Sequence, residues 1–184
     1  FRDPSVDGLK TGFTDAAGYC MVATARRSFP NLAVAGAAAG TPEAAGTRRL
    51  LSIVLGTASE NARANESQKL LNWGFTAFEA VKLFDPGQPV ASPAVWKGKE
   101  PVLRLGRPEM VVVAVPAGSA AKVKTSIVRP EPLVAPFSKG QAVGTLKVSL
   151  ADQPLAEFGL QALDDVPQAG LLGRAWDAIR LWIK

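Results

Sequence analysis

Three consecutive residues near the start of the sequence, Lys10, Thr11 and Gly12, combine groups that can bind a peptide. The ammonium supplies a fixed positive charge, the hydroxyl is a hydrogen-bond donor, and the glycine lets a ligand approach the backbone closely. A strand edge here would also offer its N–H and C=O groups to an extended peptide. The triplet therefore predicts one wall of a peptide-binding site, although most such triplets are ordinary strand-to-turn sequence.

The surrounding residues carry a more specific resemblance. Residues 6–19 read Val-Asp-Gly-Leu-Lys-Thr-Gly-Phe-Thr-Asp-Ala-Ala-Gly-Tyr. They resemble the third active-site motif of the low-molecular-mass penicillin-binding proteins that act as D-alanyl-D-alanine carboxypeptidases. The segment 65–75 looks like that family's helix leaving the catalytic domain. Three further segments follow in the order expected of its C-terminal β domain: Pro86-Gly87, Val95-Trp96-Lys97-Gly98 and Gly144-Thr145-Leu146.

The resemblance implies a serine-type hydrolase that trims the pentapeptide stems of peptidoglycan through an acyl-enzyme and is acylated by β-lactams. It implies catalytic roles for Lys10, Thr11 and Gly12, and substrate contacts for Phe13 and Arg63. Arg63 corresponds by register to the family's carboxylate-binding arginine, although a solvated residue in a first helical turn is the simpler alternative. Phe13 stands where some relatives carry a polar residue, so a polar side-chain contact is not expected from it.

The nucleophile is expected outside these residues. The family runs in the order Ser-x-x-Lys, Ser-x-Asn, Lys-Thr-Gly, and this sequence begins just before the third motif. Ser119 and Ser59 match the first two patterns, but both follow Lys10 in the chain. Ser119 lies after a Pro-Ala-Gly turn signal, and Ser59 precedes a long helical pattern as an N-cap. We therefore expect a C-terminal portion that is inactive alone; the alternative is a non-enzymatic membrane pedestal or interaction module.

Composition excludes several classes of function. The 184 residues are 47% hydrophobic with a formal charge of +5, but the basic residues are scattered, which argues against nucleic-acid binding. Histidine is absent, so a Ser-His-Asp triad and a histidine-ligated metal site are excluded within these residues. The lone Cys20 cannot form an internal disulfide and is expected to be a buried structural thiol. No cofactor or metal is predicted.

The expected fold class is α+β. Residues 1–77 should form part of a penicillin-binding-type catalytic domain, with antiparallel strands that include the Lys-Thr-Gly strand, 19–25 and 48–55, and a helix over 59–77. The strand at 48–55 is so continuously apolar that it should lie between layers. For residues 28–47 two interpretations remain open, a flexible insertion or a strand extension at 32–35 before a long loop.

Residues 78–164 have the pattern of a small all-β, sandwich-like domain with a structural rather than a chemical role. Short strand-like runs alternate there with turn signals. The predicted strands are 80–84, 101–105, 110–115, 123–128, 142–150 and 155–163.

The final segment, 165–184, has the pattern of an amphipathic membrane-anchor helix. From Gly170 onward its apolar and basic residues separate onto opposite faces. The candidate membrane-binding residues are Leu172, Trp176, Ile179, Trp182 and Ile183. This pattern predicts a protein of the periplasm that is peripheral on the outer face of the cytoplasmic membrane; a helix docked on its own domain is the alternative.

Overall fold

A computed structural model describes residues 3–29, 33–34 and 46–170. These residues form two compact units, each with its own core. The first unit comprises the described residues up to Val81 together with Ala114–Ala121. The second comprises Lys82–Val113 and residues 122–170. The described chain is mostly β-sheet, with one α-helix and one short 3₁₀ helix among these residues.

The first unit is built around a three-stranded antiparallel sheet. Its strands are β1 (Val6–Thr14), β2 (Gly18–Phe29) and β4 (Gly46–Thr57), in the order β1-β2-β4. A short strand, β3 (Ala33–Val34), stands between β2 and β4 in sequence. All three predicted strands of this region are present. The rest of the 28–47 segment between Phe29 and Gly46 lies outside the described residues.

The turn between β1 and β2 explains why this hairpin closes tightly. The Thr14 hydroxyl accepts a hydrogen bond from the Ala17 N–H at 3.0 Å. Gly18 follows with a φ of +64°, a conformation that L side chains rarely adopt. A Cβ at Gly18 would also lie 3.0 Å from the Thr57 carbonyl oxygen of β4. Glycine is therefore required where all three strands come together.

The helix α1 (Glu60–Ala77) covers one face of this sheet. Its N-terminus is capped as predicted, because the Ser59 hydroxyl accepts a hydrogen bond from the Ala62 N–H at 3.1 Å. The helix packs its apolar residues onto the small side chains of β2, which allow a close approach. The buried cluster consists of Met21, Ala23, Ala25 and Leu71, flanked by Val6, Leu50, Ala64 and Phe75.

Within the described residues the opposite face of the sheet is exposed, so the expectation that β4 lies between layers is not met by these residues alone. Side chains of β4 alternate between the two faces, as in any strand. Ser52 and Val54 are buried under α1, whereas Leu51, Ile53 and Leu55 are 60%, 57% and 70% exposed. We call the face that carries these three leucine and isoleucine side chains the open face. The continuous apolar sequence of β4 thus reflects two apolar faces, of which the described residues cover one.

Arg48 of β4 caps the C-terminus of α1. Its guanidinium donates to the carbonyl oxygens of Phe78, Gly74 and Phe75 at 3.0, 3.1 and 3.1 Å. The last helical turn has no basic residue of its own, so Arg48 provides the cation that complements the helix dipole there. Burial lowers the pKa of the Arg48 guanidinium from its ordinary value, yet an arginine remains charged at neutral pH.

The second unit is composed of strands, as predicted. Its strands are β6 Pro89–Ala91, β7 Val95–Trp96, β8 Leu105–Gly106, β10 Val123–Val128, β11 Leu133–Val134, β12 Ala142–Leu150 and β13 Gln153–Ala162. Five of them form a sheet of order β10-β12-β13-β8-β6, and β7 pairs in parallel with β11. The 3₁₀ helix Ala120–Lys122 precedes β10. A further sheet of order β3-β5-β9 contains β5 (Phe78–Phe84) and β9 (Val111–Pro116), and the boundary between the units falls within these two strands.

The core of the second unit combines side chains of the five-stranded and two-stranded sheets. Its buried members are Val95, Leu103, Leu105, Leu133, Ala135, Val143, Ala162 and Val166. The strands predicted at 123–128 and 142–150 have the predicted bounds. The strand predicted at 101–105 is wrong over most of its length, since only the bridge Ala94–Val102 and the start of β8 are present. Pro101 has no N–H to donate to a sheet, which disfavours a regular strand.

The described part of the predicted 165–184 segment is extended. Val166 bridges Phe137, and Gln168 bridges Gly98. Residues 171–184, with the five candidate membrane-binding side chains, lie outside the described residues. Over the described ranges, no helix has the length and hydropathy needed to span a membrane.

We expect Arg48→Met to destabilise the protein. The substitution keeps an aliphatic side chain but removes the charged donor of three carbonyl oxygens at the end of α1. Hydrogen bonds to a charged group typically contribute about 1.5–3 kcal/mol, so the free energy of unfolding should fall by about that amount. Urea unfolding followed by circular dichroism measures it. Arg26→Met is the matched control, because Arg26 is exposed and lies 3.9 Å from its nearest carboxylate, Asp7; equal losses in both variants would contradict the capping role.

Candidate functional site

The Lys10-Thr11-Gly12 triplet lies on an edge strand. In the described part of the chain, β1 occupies one end of the β1-β2-β4 sheet and pairs with β2 alone. The Lys10 ammonium is exposed and donates to the carbonyl oxygen of Thr11 at 3.0 Å. An unpaired strand edge can accept an extended peptide as an additional strand. The outer edge of β1 is unpaired among the described residues, as the predicted peptide-binding wall would require.

The strand register places Lys10 and Thr11 on opposite faces of the sheet. Lys10 stands opposite Val22, which in turn stands opposite Ile53, so these three residues form one row on the open face. Thr11 stands opposite the buried Met21 and so belongs to the face that carries α1. The ammonium thus shares a face with exposed apolar side chains of β4, and the hydroxyl does not.

Gly12 is not required by the packing of this chain. A Cβ built at Gly12 would meet no atom within 4 Å, and the residue does not have the positive φ that favours glycine. Elsewhere in the hairpin, at Gly18, both the conformation and the space demand a glycine. The open space at Gly12 is what a strand needs if a ligand is to approach its backbone.

Arg63 of α1 reaches the same strand from the helix-covered face. Its guanidinium donates to the Gly12 carbonyl oxygen at 3.4 Å and pairs with the Glu60 carboxylate at 2.9 Å. The guanidinium carbon lies 5.4 Å from the centroid of the Tyr19 ring, within range of a cation–π contact. The Arg63 side chain is only 12% exposed, whereas that of Glu60 is 74% exposed. Arg63 is therefore not the solvated first-turn residue of the simpler alternative.

An aromatic pair extends this cluster to the outer end of β1. The rings of Phe13 and Tyr19 lie with their centroids 4.4 Å apart, and Phe13 is 52% exposed. These two residues stand opposite each other in the β1–β2 register. The structure thus brings Lys10, Thr11, Gly12, Phe13 and Arg63 to one end of the sheet. Sequence reasoning missed Tyr19 and Glu60, although the acid–base spacing of three between Glu60 and Arg63 was a readable signal.

The two serines that match the Ser-x-x-Lys and Ser-x-Asn patterns each lie at the start of a helix. The backbone N–H groups of Ser119 and Ala120 donate to one Glu79 carboxylate oxygen at 3.0 and 2.9 Å, at the start of the 3₁₀ helix. Ser59 uses its hydroxyl to cap α1. Cys20, opposite Gly12, is half-buried rather than buried, and its thiol lies 3.4 Å from the Ala17 carbonyl oxygen. Among the described residues, no group of three His, Cys, Asp or Glu side chains could hold a metal ion.

Comparison with known proteins finds relatives whose similarity extends over both units. Residues 78–168 match the family model "Penicillin-binding protein 5, C-terminal domain". The chain is 36% identical over 178 residues to D-alanyl-D-alanine carboxypeptidase DacC of Escherichia coli K12, a match that includes 96% of this chain and 40% of that protein. It is 33% identical over 181 residues to D-alanyl-D-alanine carboxypeptidase DacA of Haemophilus influenzae, with 98% of this chain and 42% of that protein covered.

Solved structures agree with the sequence matches. Penicillin-binding protein 5 from Haemophilus influenzae superposes with a TM-score of 0.71 at 32% identity, over 89% of this chain and 43% of that chain. D-alanyl-D-alanine carboxypeptidase DacD from Francisella tularensis gives a TM-score of 0.57 at 30% identity, over 91% and 38% of the two chains. The present chain therefore spans about two-fifths of the length of these relatives. By sequence and by fold, it belongs to the D-alanyl-D-alanine carboxypeptidase family of low-molecular-mass penicillin-binding proteins.

Proposed function

We propose that this chain is the C-terminal portion of a serine-type D-Ala-D-Ala carboxypeptidase that removes the terminal D-Ala from peptidoglycan pentapeptide stems. The names of its relatives support this activity. The observation that carries the proposal for this chain is the position of Lys10, on an edge strand and on the sheet face that the described residues leave open.

Each group at the end of β1 has a task in this reaction. A serine outside this chain attacks the carbonyl carbon of the penultimate D-Ala, the terminal D-Ala leaves, and water then hydrolyses the acyl-enzyme. The outer edge of β1 pairs with the substrate backbone, and the space at Gly12 admits it. Lys10 lies on the open face, where its charge stabilises the substrate and tunes proton transfer near the nucleophile.

Thr11 and Arg63 bind the terminal carboxylate of the stem peptide. A hydroxyl donates one hydrogen bond, and a guanidinium presents a planar fork of donors that matches a carboxylate. Both residues belong to the helix-covered side of β1, and Arg63 already lies 3.4 Å from a carbonyl oxygen of this strand. A β-lactam carries the same kind of carboxylate and would use the same donors.

The open face is the surface on which the rest of the catalytic domain packs in this proposal. Leu51, Ile53 and Leu55 form an exposed apolar row on β4. Beside β4 lies an apolar cleft of about 320 Å³, whose walls include Leu70, Trp73 and Phe78. Such a contiguous apolar surface marks an interaction site rather than a solvated face. The nucleophile, delivered by that covering part, would then face Lys10.

The second unit and the tail hold the active site near the membrane in this proposal. The strands of the second unit serve as a spacer without chemistry of their own. Residues 170–184 supply an amphipathic sequence with two tryptophans and a basic polar side. Indole and aliphatic side chains favour the lipid interface, and Arg or Lys side chains favour anionic headgroups. We propose a periplasmic enzyme that is peripheral on the outer face of the cytoplasmic membrane.

In the complete protein, Lys10→Ala and Arg63→Ala should each lower kcat/KM for release of D-Ala from a pentapeptide, with Lys10→Ala the stronger. Loss of a charge-assisted contact costs about 1.5–3 kcal/mol, or roughly 10- to 150-fold, and a contact made in the transition state can cost more. Lys69→Ala is the control, because Lys69 is exposed on α1 and pairs only with Glu66 among the contacts found there. Normal kcat/KM in folded Arg63→Ala would refute its role. The isolated segment should not be labelled by fluorescent penicillin.

In the complete protein, the Ile53→Cys side chain should be protected from a maleimide, because another part of the catalytic domain covers the open face in this proposal. Thr125→Cys, on the exposed side of β10, is the reference for a reactive position. Both substitutions are made in a Cys20→Ser background, and the rates are compared by mass spectrometry with and without urea. Equal rates for the two folded variants would mean that the open face is free in solution and would favour a non-enzymatic module.

The tail should bind anionic vesicles reversibly. Apolar burial contributes about 25 cal/mol per Å², so two indoles with several aliphatic side chains supply several kcal/mol before the cost of ordering. Co-sedimentation should fall for Trp176→Glu/Trp182→Glu and for a chain ending at Asp165, and added salt should weaken binding by the intact chain modestly. Equal partitioning of all three proteins would exclude the tail as the anchor, and no partitioning by any would favour docking on the protein.

A further inference from the structure

Two of the contacts of Arg63 are with the sheet, and the third is with an exposed carboxylate that a ligand can replace. The ring of Tyr19 and the Gly12 carbonyl oxygen lie on β2 and β1, so they form a rigid support for the guanidinium. The third partner, Glu60, is the first residue of α1 and is largely exposed. A guanidinium has five N–H donors, and one Glu60 oxygen together with one carbonyl leaves the fork incompletely used.

Tyr19 is itself held in place from the side of β4. Its carbonyl oxygen accepts a hydrogen bond from the Thr57 hydroxyl at 2.9 Å, and the same hydroxyl lies 3.3 Å from the carbonyl oxygen of Ser59, the N-cap of α1. One side chain therefore links the Tyr19 backbone to the start of the helix that carries Arg63. Phe13 packs on the Tyr19 ring from the β1 side. The Tyr19 backbone is thus joined to β4 and to the start of α1, and its ring packs on Phe13 of β1.

Glu60, by contrast, is stabilised in its position by an interaction that does not involve Arg63. A carboxylate in the first turn of a helix interacts favourably with the partial positive charge of the helix N-terminus. Its ion pair with Arg63 is highly exposed on the carboxylate side, and such pairs are weak because water screens them. Glu60 therefore forms a weak ion pair with the Arg63 guanidinium, and another carboxylate can displace it.

We propose that Tyr19 and Glu60 set the carboxylate affinity of Arg63 in opposite directions: Tyr19 is a positioning residue that holds the guanidinium at the Gly12 backbone, and Glu60 is an internal competitor that a substrate carboxylate displaces. This inference rests on the carboxylate-binding role of Arg63 in the proposed function. Both residues act through Arg63, so they change the binding of substrates with a free terminal carboxylate and leave the chemical step unchanged.

The test measures kcat and KM of the complete enzyme for a peptide ending in D-Ala-D-Ala and for its amidated analogue, which lacks the carboxylate. Glu60→Gln should lower KM for the free acid by about two- to fivefold, the factor that an exposed ion pair typically supplies, with kcat unchanged. Glu66→Gln is the matched control, because Glu66 forms the same spacing-three pair with Lys69 on the same helix, at 2.7 Å. It should leave KM unchanged.

Tyr19→Leu should raise KM for the free acid with kcat unchanged, and Tyr19→Phe, which keeps the ring, should restore the wild-type value. Neither variant should change kcat/KM for the amidated analogue. An unchanged or raised KM in Glu60→Gln, or a Tyr19→Leu defect that is equal for both peptides, overturns the inference. If Arg63→Ala raises KM for the free acid while Glu60→Gln and Tyr19→Leu leave it unchanged, this inference fails and the proposed carboxylate-binding role of Arg63 stands. If Arg63→Ala has no effect on KM, the carboxylate role in the proposed function fails with it.

Discussion

The packing of α1 on one face of the β1-β2-β4 sheet is the contact on which the arrangement of the first unit depends. Small side chains on β2, such as Ala23 and Ala25, let the helix approach closely enough to bury Leu71. Because side chains alternate along a strand, covering one face determines which residues of β1 and β4 remain on the other. The exposure of the open face and the position of Lys10 on it follow from this single packing choice.

Both ends of α1 are joined to the sheet by polar contacts, which fixes the helix along its axis. Ser59 caps the N-terminus, and Thr57 links the adjacent backbone to β2. At the C-terminus, Arg48 of β4 satisfies carbonyl oxygens that would otherwise have no partner within the helix. A helix held at both ends cannot slide, so a side chain in its first turn reaches the same point of β1. That constraint gives Arg63 a defined position.

Local sequence signals predicted the helix and the main strands of this unit, but they did not predict which face of the sheet is exposed. The serine cap and the helical pattern after it placed α1 correctly, and strand patterns placed β1 and β2. The exposure of Ile53 could not be read from β4, because an apolar side chain in the sequence does not reveal whether its covering layer belongs to the same stretch of chain. The two-residue strands β7 and β11 were missed for a different reason, since so short a strand has no periodicity.

The sequence assigned residues to the candidate site but did not indicate how those residues interact. Motif resemblance identified Lys10 and Arg63, yet it gave no information on what holds the guanidinium. That support comes from Tyr19, which lies 44 positions before Arg63 in sequence, and such a contact depends on register. Arg48 and Arg63 show why the distinction matters. Arg48 donates to three carbonyl oxygens of its own fold. Arg63 has one long backbone contact and one exposed carboxylate partner, so its donors remain exchangeable. The difference in their partners, rather than in their residue type, separates a structural arginine from the arginine that we propose binds a ligand.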